Sequence, residues 1–137
     1  MNTEQMLTRY QQQIEARFDL PEKDAAGAVA AFIAGNYMAY RDVDFPDASF
    51  PPLVTQMRAM VDTNPAFTHG SDADKRTLYE QLAVVGMQMA LQRDQLRKQP
   101  NAKLRAQMMR MGKTHLEQFL KIDVSRLKIT ERGLSTQ

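Results

Sequence analysis

The sequence predicts an all-α fold: one domain, residues 1–137, built as a bundle of four to five helices with a short extended C-terminal tail. Three observations predict it. Apolar residues recur at helical spacing through five stretches. Those stretches are punctuated by Pro, and the last two are opened by Ser71 and Asn101 at cap positions. A strand-like alternation, weak at that, shows only beyond Ile122. Length fits a single domain, and 43% hydrophobic against 25% charged residues is the balance of a globular chain. With no Trp, six Phe and four Tyr, the core must rest on aliphatic side chains, Met and Ala.

The first helix runs from about Thr3 to Phe18, with Met6, Tyr10, Ile14 and Phe18 along one face. Asp19-Leu20-Pro21 ends it, because the residue before Pro avoids helical geometry. A second helix, about Glu22 to Arg41, carries Glu22 and Asp24 in its first turn, where the helix dipole favours acids. Its middle is a run of small residues from Ala25 to Gly35, bulked by Val29, Phe32 and Ile33. Gly27 and Gly35 each cost ~1 kcal/mol of helix propensity, a cost that a closely packed neighbour would offset. Asp42 to Pro52 reads as a stiff acidic loop whose Phe45 and Phe50 fold back onto the bundle.

A short helix follows from about Pro52 to Asp62, with Leu53, Met57, Met60 and Val61 inward, and ends at the Asn64-Pro65 turn. Ser71 caps the longest helix, about Asp72 to Lys98. Leu78, Leu82, Val85, Met89 and Leu96 form its inward stripe, beside a smoother one of Tyr79, Ala83, Gly86 and Ala90. Gln99-Pro100-Asn101 breaks it. The last helix, about Ala102 to Lys121, lines one side with Leu104, Met108, Met111, His115 and Phe119. The tail, Ile122 to Gln137, reads as a turn and an extended segment lying over the bundle.

Charge is unevenly spread: residues 1–92 carry a balance of −5 and residues 93–137 one of +7. Such polarity suits an anionic partner or one half of the fold complementing the other, and the second is the simpler expectation. The basic run Arg93, Arg97, Lys98, Lys103, Arg105, Arg110 and Lys113 lacks the interleaved aromatics that nucleic-acid binding favours. Without Cys there are no disulfides, thiolate nucleophiles or Cys-based zinc sites. No apolar run approaches the ~20 residues that span a bilayer, and the polar segment Met1 to Arg17 has no apolar signal core.

His69 and His115 are the only histidines and do not pair at ligand spacing; His115, on an apolar stripe, is expected to be a satisfied boundary residue. Asp42, Asp44 and Asp47 miss the central Gly and terminal Glu of a calcium loop and read as a solvated acidic loop. There is no nucleophile elbow, Walker A loop or dinucleotide glycine pattern. No enzyme, cofactor or metal site is therefore expected; an enzyme would have to work through an unfamiliar site around His115.

Three segments carry a family likeness: Asn36-Tyr37-Met38-Ala39-Tyr40, Asp74 to Ala83, and Asp123 to Thr130 with Gly133-Leu134. From about Tyr10 onward the chain resembles a family of small bacterial all-helical domains of unknown function. The resemblance implies a bacterial protein that often follows an export signal, hence a periplasmic or secreted setting. It brings no catalytic residues.

The expected function is a non-enzymatic protein-interaction or accessory module, with the cell envelope as a setting and a second copy of the chain among admissible partners. The alternative is binding of nucleic acid or an anionic surface through the basic half. Candidate contacts are Phe45 and Phe50 in the loop, Met87 and Met109 at the edges of their stripes, and Arg93, Arg97, Arg105 and Arg110 in the basic run.

Overall fold

The computed structural model describes residues 2–136; the two ends of the expected domain, Met1 and Gln137, lie outside the described residues. Helix α1 spans Thr3–Tyr10, opened by a reciprocal capping box between Asn2 and Gln5. It continues as a single π-helical turn, Gln11–Glu15. The four-residue repeat of Met6, Tyr10, Ile14 and Phe18 overshoots an α-helical turn of ~3.6 residues. The wider π turn absorbs that drift and keeps Ile14 and Phe18 packed against the core. It also swings Glu15 into the interior. The chain then leaves the helix through Asp19, in the left-handed region.

Helix α2, Ala25–Arg41, is the axis of the molecule. Residues Ala26 to Asn36 are all buried, so the small-residue run is wrapped on every side. Helices α3 (Phe50–Thr63), α5 (Asp72–Lys98) and α6 (Ala102–Leu120) each pack on it. The closest approach is to α5. A Cβ added at Gly35 would stand 2.2 Å from the Gly86 carbonyl oxygen, and one at Gly86 would stand 2.6 Å from that of Ala31. Helix α6 repeats the device: a Cβ at Gly112 would stand 2.5 Å from the Asn36 carbonyl oxygen. The close neighbour is backbone at Gly35, Gly86 and Gly112, whereas at Gly27 it is the side chains of Leu20 and Tyr10; α5 and α6 pack far more on α2 than on each other.

Smaller elements complete the chain. The loop after α2 holds a 3-10 turn, Asp47–Ser49, and places Pro51 and Pro52 in the first turn of α3, where a missing N–H costs nothing. A one-turn helix α4, Pro65–Thr68, is capped by Asn64, whose side chain accepts from the Ala66 amide. The tail is more ordered than a single extended segment. Strands β1 (Leu127–Thr130) and β2 (Gly133–Thr136) pair antiparallel, with Ile129 opposite Leu134. Val124 and Leu127 are fully buried and anchor the hairpin to the core. Gln56 of α3 clips it from outside: its side-chain amide donates to the Leu134 carbonyl (2.8 Å) and accepts from the Leu134 amide (2.6 Å).

Candidate functional site

The basic residues of α5 and α6 gather where the connection Gln99–Asn101 brings the two helices together. Arg93 and Arg97, one helical turn apart, and Arg105 line a cleft of about 430 Å³ floored by Ala39, Leu96 and Met108. Asp42 and Asp44 reach in from the loop after α2. Asp42 caps α2 in the left-handed conformation, φ 54°, which short polar residues tolerate. Arg93 meets Asp44 at 2.5 Å and Asp42 at 3.6 Å; Arg97 meets Asp44 at 3.0 Å, and Arg105 meets Asp42 at 3.4 Å. Hydrogen bonding from Arg93 holds the Asp44 carboxyl below its ordinary range.

The charge polarity of the sequence thus resolves, at this end, into one half of the fold pairing with the other. The aspartates of the loop are each paired with arginine, Asp47 with Arg17, while Asp44 and Asp47 stay exposed as a solvated loop requires. Arg110 makes no ion pair among the described residues.

On the outer side of the same helix pair lies a groove of about 660 Å³ with no charged residue in its lining. Gln88, Gln92 and Gln95 of α5 face Leu104, Gln107 and Met111 of α6 across it. Leu104 and Met111, expected to point inward, are 47% and 45% exposed, and Met109 is 36% exposed beside them. The reason is geometric: α2 takes the inner faces of both helices, and the apolar sector of α6 is wider than α2 can cover.

The other apolar candidates lie elsewhere. Phe45, Phe50 and Met87 share the wall of a cavity of about 140 Å³ between the first helix, α2 and α5. Phe50 stacks on Phe18 at 4.7 Å between ring centroids. Phe45 is half-buried, whereas Phe50 and Met87 are buried. Met87 is therefore not at an edge as its stripe suggested, because the π turn and the returning loop cover that side of α5. Both loop phenylalanines do fold back onto the bundle.

Two buried polar groups went unnoticed in the sequence. Asn36, fully buried in α2, donates to the Phe32 carbonyl (2.9 Å) and its side-chain oxygen lies 2.8 Å from His115 Nδ1. That pairing places the imidazole proton on Nδ1, and burial lowers the His115 pKa. Glu15 accepts from the Tyr79 hydroxyl at 2.8 Å and from the Lys23 and Asp24 backbone amides; burial raises its pKa. Asp24, at the start of α2, is held by a bidentate pair from Arg58 at 2.7 and 2.9 Å. The Tyr10 hydroxyl is buried with no hydrogen-bond partner among the described residues. Both networks join elements: Asn36–His115 ties α2 to α6, and Glu15–Tyr79 ties the π turn to α5. A polar residue inside the Ala-rich run was the available signal for Asn36; for Glu15, four residues before Asp19 on a polar face, there was none.

Among the described residues no three His, Asp or Glu side chains converge as a metal cluster. No helix among the described residues is long and apolar enough to cross a membrane. Residues 2–137 match the family described as "Family of unknown function (DUF6683)". The chain belongs to that family. The match takes in the first helix as well as the stretch from Tyr10, so the π turn and the arginine cleft both fall inside the DUF6683 domain. No curated protein and no solved structure matches the chain.

Proposed function

We propose that this domain is a non-enzymatic interaction module that receives an amphipathic helix of a protein partner in the groove between α5 and α6. The observation that supports this most is the uncharged groove itself, with Leu104 and Met111 nearly half exposed along it. Exposed apolar side chains lining a concave surface favour a partner, and two flanking helices favour a third. The rim indicates the partner's chemistry. From Lys103 to Lys113, α6 has no acid, and Lys103 and Arg110 flank its groove face at helical spacing, so the incoming helix has a Leu- or Met-rich stripe with an acidic flank.

A photo-crosslinking residue at Leu104, compared with one at Thr77 on the exposed start of α5, tests this in the source cell. The expected result is one protein partner captured at Leu104, not at Thr77, and lost in Met111→Glu. Equal capture at both sites, or capture unaffected by Met111→Glu, rejects it. If the occupant is a second copy, a concentration-dependent dimer appears and Met111→Glu abolishes it. A bacterial envelope as the setting is part of the same proposal and rests on the family likeness; cell fractionation tests it.

The alternative, an anionic surface or nucleic acid bound by the basic half, has less support, because Asp42 and Asp44 offset two of the three charges of Arg93, Arg97 and Arg105 and leave too little net charge there for a polyanion. It requires affinity that falls steeply with salt.

A further inference from the structure

We propose that the arginine cleft is a binding site for a small organic anion, with a carboxylate head among the guanidiniums and a short aliphatic body on the apolar floor. Arg93, Arg97 and Arg105 face Asp42 and Asp44, three positive charges against two negative. Three guanidiniums carry many more N–H donors than two shared carboxylates take up. The surplus is visible: Arg93 Nε is buried and has no hydrogen-bond partner among the described residues, its nearest carboxylate oxygen lying 3.6 Å away. Arg93 Nε is closed off from solvent, so the donors open to a ligand in the cleft are those of Arg97 and Arg105, whose side chains are more than half exposed.

The first turn of α6 adds to this. Asn101 and Ala102 form the edge of the cleft. The Leu104 amide is taken by the Asn101 side chain (3.1 Å) and the Arg105 amide by the Asn101 carbonyl (2.9 Å). The Ala102 and Lys103 amides precede the first helical acceptor and remain free for a ligand at the positive end of the helix.

Size and floor define the rest of the ligand. A volume of about 430 Å³ lies in the roughly 300–1,000 Å³ range of small-molecule sites. Ala39, Leu96 and Met108 give the floor no polar side chain, so an inorganic ion would leave it uncovered. The one-charge surplus matches a monoanion. A medium-chain carboxylate combines these properties. The site is distinct from the helix groove, although Leu96 and Met108 separate the two.

The experiment is calorimetric titration of the full chain with sodium octanoate and, separately, sodium phosphate, alongside amide NMR of labelled protein. Octanoate is expected to bind one per chain, to shift the Ala102 and Lys103 amides, and to outcompete phosphate. Arg97→Gln and Arg105→Gln should each weaken it at least about tenfold, the loss expected for a charged hydrogen bond. Both side chains are more than half exposed, 54% and 58%, so both variants should keep their helical circular dichroism. Arg110→Gln, outside the cleft, should bind as the unaltered chain does, as should Met111→Glu. The proposal is overturned if millimolar octanoate gives neither heat nor amide shifts. It is equally overturned if the Arg97→Gln/Arg105→Gln double variant binds unchanged, or if phosphate matches octanoate.

Discussion

Helices α5 and α6 each have two faces, and the two faces are built on opposite rules. Inward, against α2, contact is backbone to backbone: Gly86 on the Ala31 carbonyl and Gly112 on the Asn36 carbonyl leave no room for a methyl group. Outward, the same helices present glutamine, methionine and leucine around a groove and arginine around a cleft, where side chains have space on one side. The inner face fixes where the helices lie. The outer face is free to vary in chemistry without moving them, which is the arrangement expected of a scaffold that carries a binding surface.

The sharpest way to break this contrast is Gly86→Ala. Alanine improves helix propensity by ~1 kcal/mol, yet its methyl would meet backbone atoms that cannot rotate away. A net loss of about 2 kcal/mol or more is expected, the upper end of the overpacking cost less the propensity gain, measured by urea unfolding. A neutral or stabilised variant would mean that the crossing is not rigid.

Next in size is His115→Phe. It fills similar space beside Phe32 and Phe119 but leaves the Asn36 side-chain oxygen buried and unpaired, at a cost of ~1–3 kcal/mol. The unaltered chain should also lose stability as pH falls from 6.5 through the lowered folded pKa of His115, because there the unfolded state binds more protons. Denaturation midpoints of the two proteins across that window should converge toward acid.

Glu15 titrates with the opposite sign. Its folded pKa is raised above 4.5, so the native state holds the proton longer and stability falls as pH rises through that interval. Glu15→Gln keeps an acceptor for the Lys23 and Asp24 amides and should flatten this part of the stability profile. An unchanged slope would show that Glu15 is not its source. The smallest effect belongs to the outer face: Leu104→Gln and Met111→Gln should each change unfolding free energy by less than about 0.5 kcal/mol. A loss comparable to that of His115→Phe would show that the groove is part of the core.

The contrast also separates what was legible in the sequence from what was not. The five helical stretches, the Ser71 and Asn101 caps and the tight packing of the Ala-rich helix follow from periodicity, cap residues, Pro and Gly, but α2 begins only at Ala25, so Glu22 precedes the helix and Asp24 stands at its cap rather than in its first turn. The π turn did not, because a four-residue repeat reads the same in both helix types over so short a span. Leu104 and Met111 were misassigned to the interior for a related reason: an apolar stripe left open by the fold has the same composition as one the fold covers. The gathering of Arg93, Arg97 and Arg105 on α5 and α6 was implicit in the basic run. Their pairing with Asp42 and Asp44 joins residues some fifty to sixty positions apart and requires the tertiary fold. Phe50 and Met87 were proposed as contacts from residue type, and only the path of the returning loop shows that they are enclosed.

Gln56 has a consequence for behaviour in crowded solution. A two-stranded ribbon normally leaves each outer edge ready to pair with a strand of another molecule, the first step of sheet-mediated aggregation. Here the outward amide and carbonyl of Leu134 are both occupied by one side-chain amide, which acts as a one-residue substitute for a third strand. Gly133, at φ 91°, lets the chain pass beneath it, since a Cβ there would stand 2.6 Å from the Gln56 side-chain oxygen. A glutamine on a helix thus occupies the outward backbone pair at Leu134 and obstructs the addition of a further strand to β2 at that position.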